Sequence, residues 1–158
     1  MTVNGELVPL LEFGAGFDPE FSARDNIFMN GAMYGHSPKY MEAKYDEIIE
    51  FAELKEFEDV AIKNYSSGMM GRLGFAVATC VQPDILIADE ILGVGDYKFR
   101  AKFEERINKM IADGATVLLV SHTIDTIKKM CSRAILLDRG SAVCVGDAEA
   151  VCREYGDI

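Results

Sequence analysis

The sequence predicts an α/β fold, with a parallel sheet in its second half and a mostly helical first half. Two observations lead to this class. From residue 84 onward, short apolar runs alternate with amphipathic stretches, the order typical of a parallel sheet with crossover helices. Between residues 24 and 80, apolar residues instead recur at helical spacing. The 158 residues, 49% of them apolar, are enough for one domain with its own core.

The first half is predicted to contain one strand and three helices. Residues 6–13 (ELVPLLEF) predict a strand in which Pro9 indicates an irregular or edge position. Ser37 and Pro38 are a typical N-cap and first residue for the second helix. Its apolar residues have helical spacing and are candidate core positions: Met41, Tyr45, Ile48, Ile49 and Ala52. The helical segments are 24–34, 38–51, a short turn at 54–57, and 67–80.

The second half is predicted to alternate strands with helices. DILIAD is a short apolar run that suits a buried parallel strand, and VLLVS is a second one. The strands are expected at 84–89, 115–121, 134–140 and 141–146, and the helices at 97–112, 123–130 and 147–155. Candidate core residues of the first of these helices are Phe99, Phe103, Ile107, Met110 and Ile111.

Charge and cysteine content restrict the class of function. A formal net charge of −10 repels nucleic acid, so we expect no nucleic-acid partner. No apolar run reaches the roughly 20 residues that cross a bilayer, and no secretory signal is visible. The cysteines form no C-x-x-C pair, so we expect reduced thiols of a cytosolic protein and no zinc site. They are Cys80, Cys131, Cys144 and Cys152.

Two carboxylates follow the apolar strand at 84–89. Ligands of α/β sheets bind at the carboxyl ends of strands, where Asp89 could hold Mg²⁺ directly or through water. Glu90, one residue on, could orient or deprotonate an attacking water. The alternative is a strand that ends in solvated acids without a function.

The next strand also ends in polar residues. His122 follows it and is expected at the same sheet edge as Asp89 and Glu90, where a neutral imidazole could bond a phosphate or position water. A helix cap or a surface group is the alternative for this histidine. The segment LGVGD ends in Asp96, which as an ordinary N-cap would begin the helix near Tyr97.

A Ser-Ser-Gly sequence opens the helix predicted at 67–80. Ser66, Ser67 and Gly68 offer hydroxyls and free N–H groups at the positive end of a helix dipole, which is an anion site. Plain capping by one of the serines is the alternative. Gly71 and Gly74 lie inside this helix, where each costs about 1 kcal/mol relative to alanine.

Taken in order, these features resemble the ATP-binding subunits of ABC transporters. The family order is signature loop, Walker B, D-loop and H-loop, and this chain matches it over most of its length with YSSGM at 65–69, Asp89-Glu90, Asp96 and His122. The signature YSSGM and the segment LGVGD resemble the branch that exports bacterial polysaccharides, such as O-antigen and teichoic acid. The resemblance implies a partial P-loop NTPase sheet with a helical signature subdomain.

The resemblance also implies partners and cofactors. In this family two nucleotide-binding subunits face each other head to tail, and they dock on a transmembrane permease. Each ATP, with Mg²⁺, lies between the Walker motifs of one subunit and the signature loop of the other. Ser66, Ser67 and Gly68 would therefore hold the terminal phosphate of the partner's ATP. The protein would be cytoplasmic and peripheral on the inner face of the cell membrane.

Four further residues receive roles from the same resemblance. Asp89 would support Mg²⁺ through water, Glu90 would act as general base, and His122 would contact the terminal phosphate. Asp96 would couple the two sites across the dimer. Gly71 could allow close approach of the opposed subunit, and Gly74 close packing inside this one.

One family motif is missing from the sequence. No glycine is followed by lysine, so the phosphate-binding G-x-x-x-x-G-K-[S/T] loop is absent, and the Q-loop position carries Glu12 instead of glutamine. We therefore expect a C-terminal portion of a nucleotide domain, with part of its sheet uncovered. We also expect that the chain alone neither binds ATP tightly nor hydrolyses it at family rates.

Three functional interpretations follow. The chain is a portion of an exporter ATPase, or a non-catalytic module that donates its signature loop to a partner's site, or an unrelated α/β domain. Residues 24–80 would form the helical signature subdomain, and 1–23 with 81–158 the α/β core. The helical region 24–65 would contact the permease, although the acidic stretch from Glu42 to Glu58 suits a solvated face equally well.

Overall fold

The computed structural model describes residues 4–10, 14–89 and 97–156. Within them, six α-helices and one 3-10 helix (Ile62–Asn64) occur. The α-helices are α1 (Ala23–Met33), α2 (Pro38–Ala52), α3 (Ser67–Ala78), α4 (Tyr97–Ala112), α5 (Ile124–Met130) and α6 (Ala148–Gly156). Each α-helix lies within two residues of a predicted one. The predicted turn at 54–57 is a turn closed by the bond from Phe57 N to Leu54 O, 2.9 Å, while the 3-10 helix was not predicted.

The strands form two separate sheets in the described residues. A three-stranded sheet has the order β1 (Leu7–Leu10), β2 (Ile85–Asp89), β3 (Thr116–Val120). β1 and β2 are parallel, as predicted. A two-stranded antiparallel sheet contains β4 (Arg133–Asp138) and β5 (Ser141–Asp147).

The placement of the strand at 134–140 in the parallel sheet was therefore wrong. β4 pairs with β5 through a two-residue turn, with Asp138 opposite Ser141. The turn residues Arg139 and Gly140 have φ of 46° and 81°. Positive φ at both positions is the pattern of the hairpin turn whose twist matches that of the strands, which explains why the chain reverses here instead of crossing over.

The first helices form a closed apolar core. All five core residues predicted on α2 are buried in it, from Met41 to Ala52. The close approach of α1 and α2 depends on Gly31, because a Cβ there would lie 2.4 Å from Cγ of Met41. Among the described residues, the buried members of this core lie between residues 23 and 80: Ala23, Ile27, Met41, Tyr45, Ile48, Ile49, Ala52, Leu54, Ile62, Leu73, Ala76, Val77 and Cys80.

An aromatic cluster joins α2, α3 and α4. The rings of Phe75 and Phe103 stack with centroids 3.9 Å apart, and Phe51 lies 5.6 Å from Phe75. Such pairs add to the stabilisation that burial alone gives. Of the core residues predicted on α4, Phe99, Phe103, Ile107 and Met110 are buried, whereas Ile111 is exposed at the end of the stripe.

Salt bridges from the end of α2 reach the same two helices. Glu53 ends α2 in the left-handed conformation, with φ of 58°. Its carboxylate accepts hydrogen bonds from Arg72 of α3, at 3.1 Å, and from Lys102 of α4. Arg106 of α4 donates to Glu47 of α2, at 2.9 Å. Because these pairs are partly exposed, each contributes little to stability, and they mainly fix the relative orientation of the helices.

The chain divides into two compact units, 1–118 and 119–158. In the second unit, α6 covers one face of the β4–β5 hairpin and buries Leu136, Val151 and Cys152. The other face carries exposed apolar side chains, 51–70% accessible: Ile135, Leu137, Val143 and Val145. The strand β3 likewise exposes Leu118 and Val120. The exposed side chains of β3 agree with the expectation of uncovered apolar surface on the parallel sheet, whereas those of the hairpin belong to a different sheet.

The four cysteines are free thiols. Cys80 and Cys152 are buried, and burial raises the pKa of Cys80 to about 11. Cys131 and Cys144 are half-buried. In the part of the chain that the structure describes, no helix is long and apolar enough to cross a membrane.

Candidate nucleotide site

The Ser-Ser-Gly sequence forms the N-terminus of α3, as predicted. Ser66 is the N-cap, with extended backbone (φ −69°, ψ 161°), and its Oγ accepts a hydrogen bond from Met69 N at 3.2 Å. Its carbonyl accepts the first helical bond, from Met70 N at 3.0 Å. Ser66 is therefore used in capping, as the alternative interpretation held, and this capping does not occupy Ser67 or Gly68.

The first two residues of α3 leave their backbone donors available. In the described residues, the N–H groups of Ser67 and Gly68 have no hydrogen-bond partner. A Cβ built on Gly68 would meet only Ser66 Oγ, at 3.9 Å, so packing within the chain does not require glycine here. Free N–H groups at the positive end of a helix, beside a position without a side chain, suit an anionic oxygen.

The two glycines further along α3, Gly71 and Gly74, are both buried within the first unit. Close approach of a second subunit at Gly71 and close packing inside the chain at Gly74 stay predictions.

The predicted Mg²⁺ ligand Asp89 is the last residue of β2, and its side chain is exposed. A free carboxylate at a strand end suits Mg²⁺, which binds through few protein oxygens and several waters. Among the described residues no group of three His, Cys, Asp or Glu side chains could hold a metal ion by itself. Glu90 and Asp96 lie outside the described residues, as does Glu12.

The predicted phosphate contact His122 belongs to the second unit. It is exposed and lies two residues beyond β3, directly before Thr123, the N-cap of α5. β3 is the neighbour of β2 in the sheet. The expected placement of His122 at the same sheet edge as Asp89 stays a prediction.

Comparison with known proteins decides the family. The family model described as "ABC transporter" matches residues 5–93, more than half of the chain. The chain belongs to the ABC transporter family. The predicted family is confirmed, and its matched region contains the signature residues at the start of α3 and the acidic end of β2.

The curated relatives of this ABC transporter chain include polysaccharide export proteins. It is 46% identical over 98% of its length to "ABC transporter protein AbcA" of Aeromonas salmonicida, covering 50% of that protein. It is 42% identical to an "O-antigen export system ATP-binding protein RfbB" of Klebsiella pneumoniae, over 98% of its length and 63% of the relative. A "Teichoic acids export ATP-binding protein TagH" of Enterococcus faecalis is 39% identical over 98% of the chain and 34% of the relative.

These relatives confirm the resemblance to the polysaccharide-export branch. The chain spans about a third to two thirds of their length. Among solved structures, "Structure of ATP binding subunit of ABC transporter" has a TM-score of 0.81 at 22% identity, covering 96% of this chain and 62% of that one. At such identity the likeness shows the fold, and the predicted ABC ATPase fold is confirmed.

Two residues that sequence reasoning missed organise the loop before α1. Asn26 is fully buried; its Nδ2 donates to the carbonyls of Asp18, at 3.0 Å, and Ser22, at 2.9 Å, and its Oδ1 accepts from Asp18 N at 2.7 Å. Asn30, one turn on, donates to Ala15 O at 3.2 Å. The sequence signal for these two residues is a pair of asparagines four residues apart on a helix with apolar positions. Because buried amides need hydrogen-bond partners, such a pair indicates contacts with a neighbouring loop.

A charged cluster holds the loop after α2 in this ABC transporter chain. The hydroxyl of Tyr45 donates to Glu58 at 2.5 Å, and Arg24 lies 4.5 Å from the centre of the Tyr45 ring. Lys55 and Arg24 also pair with Glu58, at 3.3 and 3.6 Å. The bond from Tyr45, with these cations, keeps the pKa of Glu58 below its ordinary value, although partial burial opposes the shift.

Proposed function

We propose that this chain is the signature-bearing portion of the ATP-binding subunit of an ABC exporter for bacterial cell-surface polysaccharide, of the O-antigen or teichoic acid class. The observation that carries the proposal is the N-terminus of α3, where the N–H groups of Ser67 and Gly68 are free and a side chain is absent. The relatives named for O-antigen and teichoic acid export support the substrate class.

The site residues divide into two groups by this proposal. Ser66, Ser67 and Gly68 act in trans on the terminal phosphate of a partner subunit's ATP. Asp89, with Mg²⁺ through water, and the general base Glu90 act on this subunit's own nucleotide, which is the use expected for acids after a buried strand.

Two further residues complete the proposed site. His122 contacts the terminal phosphate, and Asp96 couples the two sites. A solved structure of this fold, with a TM-score of 0.74 and 22% identity, is a dimeric ATP-binding cassette with ADP and Pi, which supports a dimer as the working form. The head-to-tail arrangement is what the family resemblance implies.

The 158 residues contain no phosphate-binding loop, and this determines what the chain can do alone. The N–H groups and lysine of that loop supply most contacts to the phosphates. The chain by itself is therefore expected to bind ATP weakly and to show no Mg²⁺-dependent turnover at family rates. Micromolar ATP affinity with turnover of the isolated chain would contradict this part of the proposal.

The proposed permease contact is a set of exposed apolar side chains in the first unit, the Phe21–Val60 patch: Phe21, Phe57 and Val60. Backbone bonds join the two segments that carry it, from Ile62 N to Phe21 O, 2.9 Å, and from Arg24 N to Glu58 O, 3.1 Å. Apolar side chains held on fixed loops suit a protein contact. The exporter subunit would thus be peripheral on the cytoplasmic face of the membrane.

The trans role is tested with a complete O-antigen export ATP-binding protein whose own signature loop carries an arginine. The wild-type chain should restore its ATPase activity, and Ser67→Arg should abolish the restoration. Ser141→Arg, at an exposed serine of the hairpin, should behave as wild type. Equal restoration by Ser67→Arg would overturn the assignment of the signature loop.

The same assay separates the two forms of the proposal. A non-catalytic module restores turnover only at the partner's site, so Glu90→Gln should leave the stimulation unchanged. A portion of a catalytic subunit contributes its own acids once a polypeptide with the phosphate-binding loop is added, and Glu90→Gln should then abolish that second activity.

The permease contact has a separate test. Phe57→Glu with Val60→Glu should prevent co-purification with the permease of an O-antigen export system, while restoration of the partner's ATPase activity persists. Ile111→Glu, at an exposed position on α4, is the control. Undiminished co-purification of the double variant would place the contact elsewhere.

A further inference from the structure

Tyr65 lies between the 3-10 helix and Ser66, the N-cap of the signature helix α3. Its ring is half-buried against the helical core, and its hydroxyl donates to the carbonyl of Phe57 at 2.7 Å. Its own N–H donates to Ile62 O at 2.9 Å. Both ends of this residue are thus fixed immediately before the proposed phosphate contact.

The acceptor of this hydrogen bond is itself held in place. Phe57 O also accepts from Val60 N at 2.9 Å, and Phe57 N donates to the carbonyl of Leu54, a fully buried residue. The carbonyl of Phe57 is therefore a fixed reference point, and the bond ties α3 to residues 54–61.

The hydroxyl of Tyr65 remains a donor at neutral pH. Burial, with the nearby charges of Asp59 and Glu58, raises the pKa of Tyr65 to about 12. A phenol with such a pKa stays protonated at neutral pH and keeps its hydrogen bond.

We propose that Tyr65 is a positioning residue: its bond to Phe57 O fixes the extended backbone of Ser66 and thereby directs the free N–H groups of Ser67 and Gly68. This inference rests on the proposed function only in naming a phosphate as what those groups contact. It also connects the signature loop to the Phe21–Val60 patch, since the carbonyl that accepts the bond from Tyr65 belongs to Phe57, a residue of that patch.

The test is amide hydrogen exchange of the chain carrying Tyr65→Phe, which removes only the hydroxyl. Met69 and Met70 report on the cap, because their N–H groups bond to Ser66 Oγ and Ser66 O. Loss of one hydrogen bond that orders the cap should speed their exchange by about fivefold to tenfold relative to the amides of Phe75 and Ala76. Ser66→Ala is the positive control, because it deletes the Oγ that accepts the bond from Met69 N and should speed exchange at this amide.

Tyr45→Phe is the matched control. It also deletes the hydroxyl of a buried tyrosine, but one that donates to the side chain of Glu58 and not to the carbonyl of Phe57. It should leave the ratio of Met69 and Met70 exchange to that of Phe75 and Ala76 at the wild-type value. An unchanged ratio in Tyr65→Phe, or the same change in both variants, would overturn the positioning role.

A second readout separates this inference from the proposed function. Where the wild-type chain restores a partner's ATPase activity, Tyr65→Phe should lower the restored kcat several-fold with a smaller change in KM, and Tyr45→Phe should not. Restored activity that Tyr65→Phe leaves at the wild-type kcat would overturn the inference. Where the wild-type chain restores nothing, the trans role fails, and the exchange measurement alone decides the role of Tyr65.

Discussion

The helical region 23–80 and the β4–β5 hairpin bury their apolar residues to very different extents. In the helical region Ile49, Leu54 and Leu73 are completely inaccessible, and the buried Asn26 has its amide bonded. On one face of the hairpin, Leu137 is 70% and Ile135 58% accessible, although both lie in regular strands. Two parts of similar apolar content therefore differ in whether they complete their own packing.

The difference shows which part of this chain needs contacts with another polypeptide to bury its apolar side chains. A helix pair can close a core locally, because its apolar stripe meets the next helix within a few residues. A sheet has two faces and two edges, and each must be covered by another element. Within the described residues the β4–β5 hairpin has α6 on one face, and its other face stays open.

The largest expected difference in unfolding free energy is between alanine substitutions of two leucines, one from each region. Leu73→Ala should destabilise the chain by about 2–5 kcal/mol, because it opens a cavity in a closed core. Leu137→Ala should change the unfolding free energy by no more than about 0.5 kcal/mol, because the side chain is already in water. Urea unfolding measures both, and a cost above about 2 kcal/mol for Leu137→Ala would show that the hairpin face is covered in solution.

A smaller loss is expected from the buried asparagine. Asn26→Ala should cost about 1–3 kcal/mol, because the carbonyl of Asp18 and its N–H lose their partner. The loop 14–22 should also become more sensitive to protease. Asn108→Ala, at an exposed position of α4, is the control and should remain within about 0.5 kcal/mol of wild type. If the two variants unfold alike, the loop does not depend on the amide.

A pH dependence should come from Glu58. Its pKa is lowered in the folded chain, so its pairing stabilises the fold above the ordinary carboxyl pKa and is lost as the pH falls through the lowered value. The unfolding free energy should therefore decrease below about pH 4.5, and Glu58→Gln should flatten this part of the curve. Chemical denaturation between pH 3 and 7 tests it. Glu56→Gln provides a control with the same loss of charge, and equal curves for the two variants would contradict the role of Glu58.

Substitutions on the open hairpin face should have the smallest effect on stability. They should instead change the self-association of the chain. Ile135→Thr with Leu137→Thr should reduce self-association at high concentration, while the unfolding midpoint stays near that of wild type. Met33→Gln is the control, because it removes an equally exposed apolar side chain from the helix α1 and not from a sheet. It should reduce self-association less than the hairpin variant does. Light scattering against concentration measures the difference; identical curves would show that the hairpin face does not self-associate.

Sequence reasoning was most successful where a pattern is local. The α2 stripe from Met41 to Ala52 and the Ser66 cap could be predicted because helical spacing and capping involve neighbours a few residues apart. The signature role of Ser66, Ser67 and Gly68 came from the family resemblance instead and stays a prediction. Asp89 at the end of β2 followed from the short apolar run before it.

The features that the sequence did not predict depend on contacts between residues that are not recognisable as partners in the sequence. An apolar strand such as β4 has the same pattern in a parallel sheet and in a hairpin, so only its partner decides. The bond from Tyr65 to Phe57 O requires the fold of residues 54–61, which no periodicity describes. The roles of all the proposed site residues stay predictions, and Glu90 and Asp96 in addition lie outside the described residues.

The four thiols differ in burial between the helical core and the second unit, and this difference allows selective chemical labelling. Only a thiolate reacts readily with maleimide, and the buried Cys80, whose pKa is raised to about 11, stays protonated at pH 7. The half-buried Cys144 lies on β5 of the hairpin. A fluorophore added under mild conditions should therefore attach to the half-buried Cys131 and Cys144 of the second unit and leave Cys80 of the helical core unmodified.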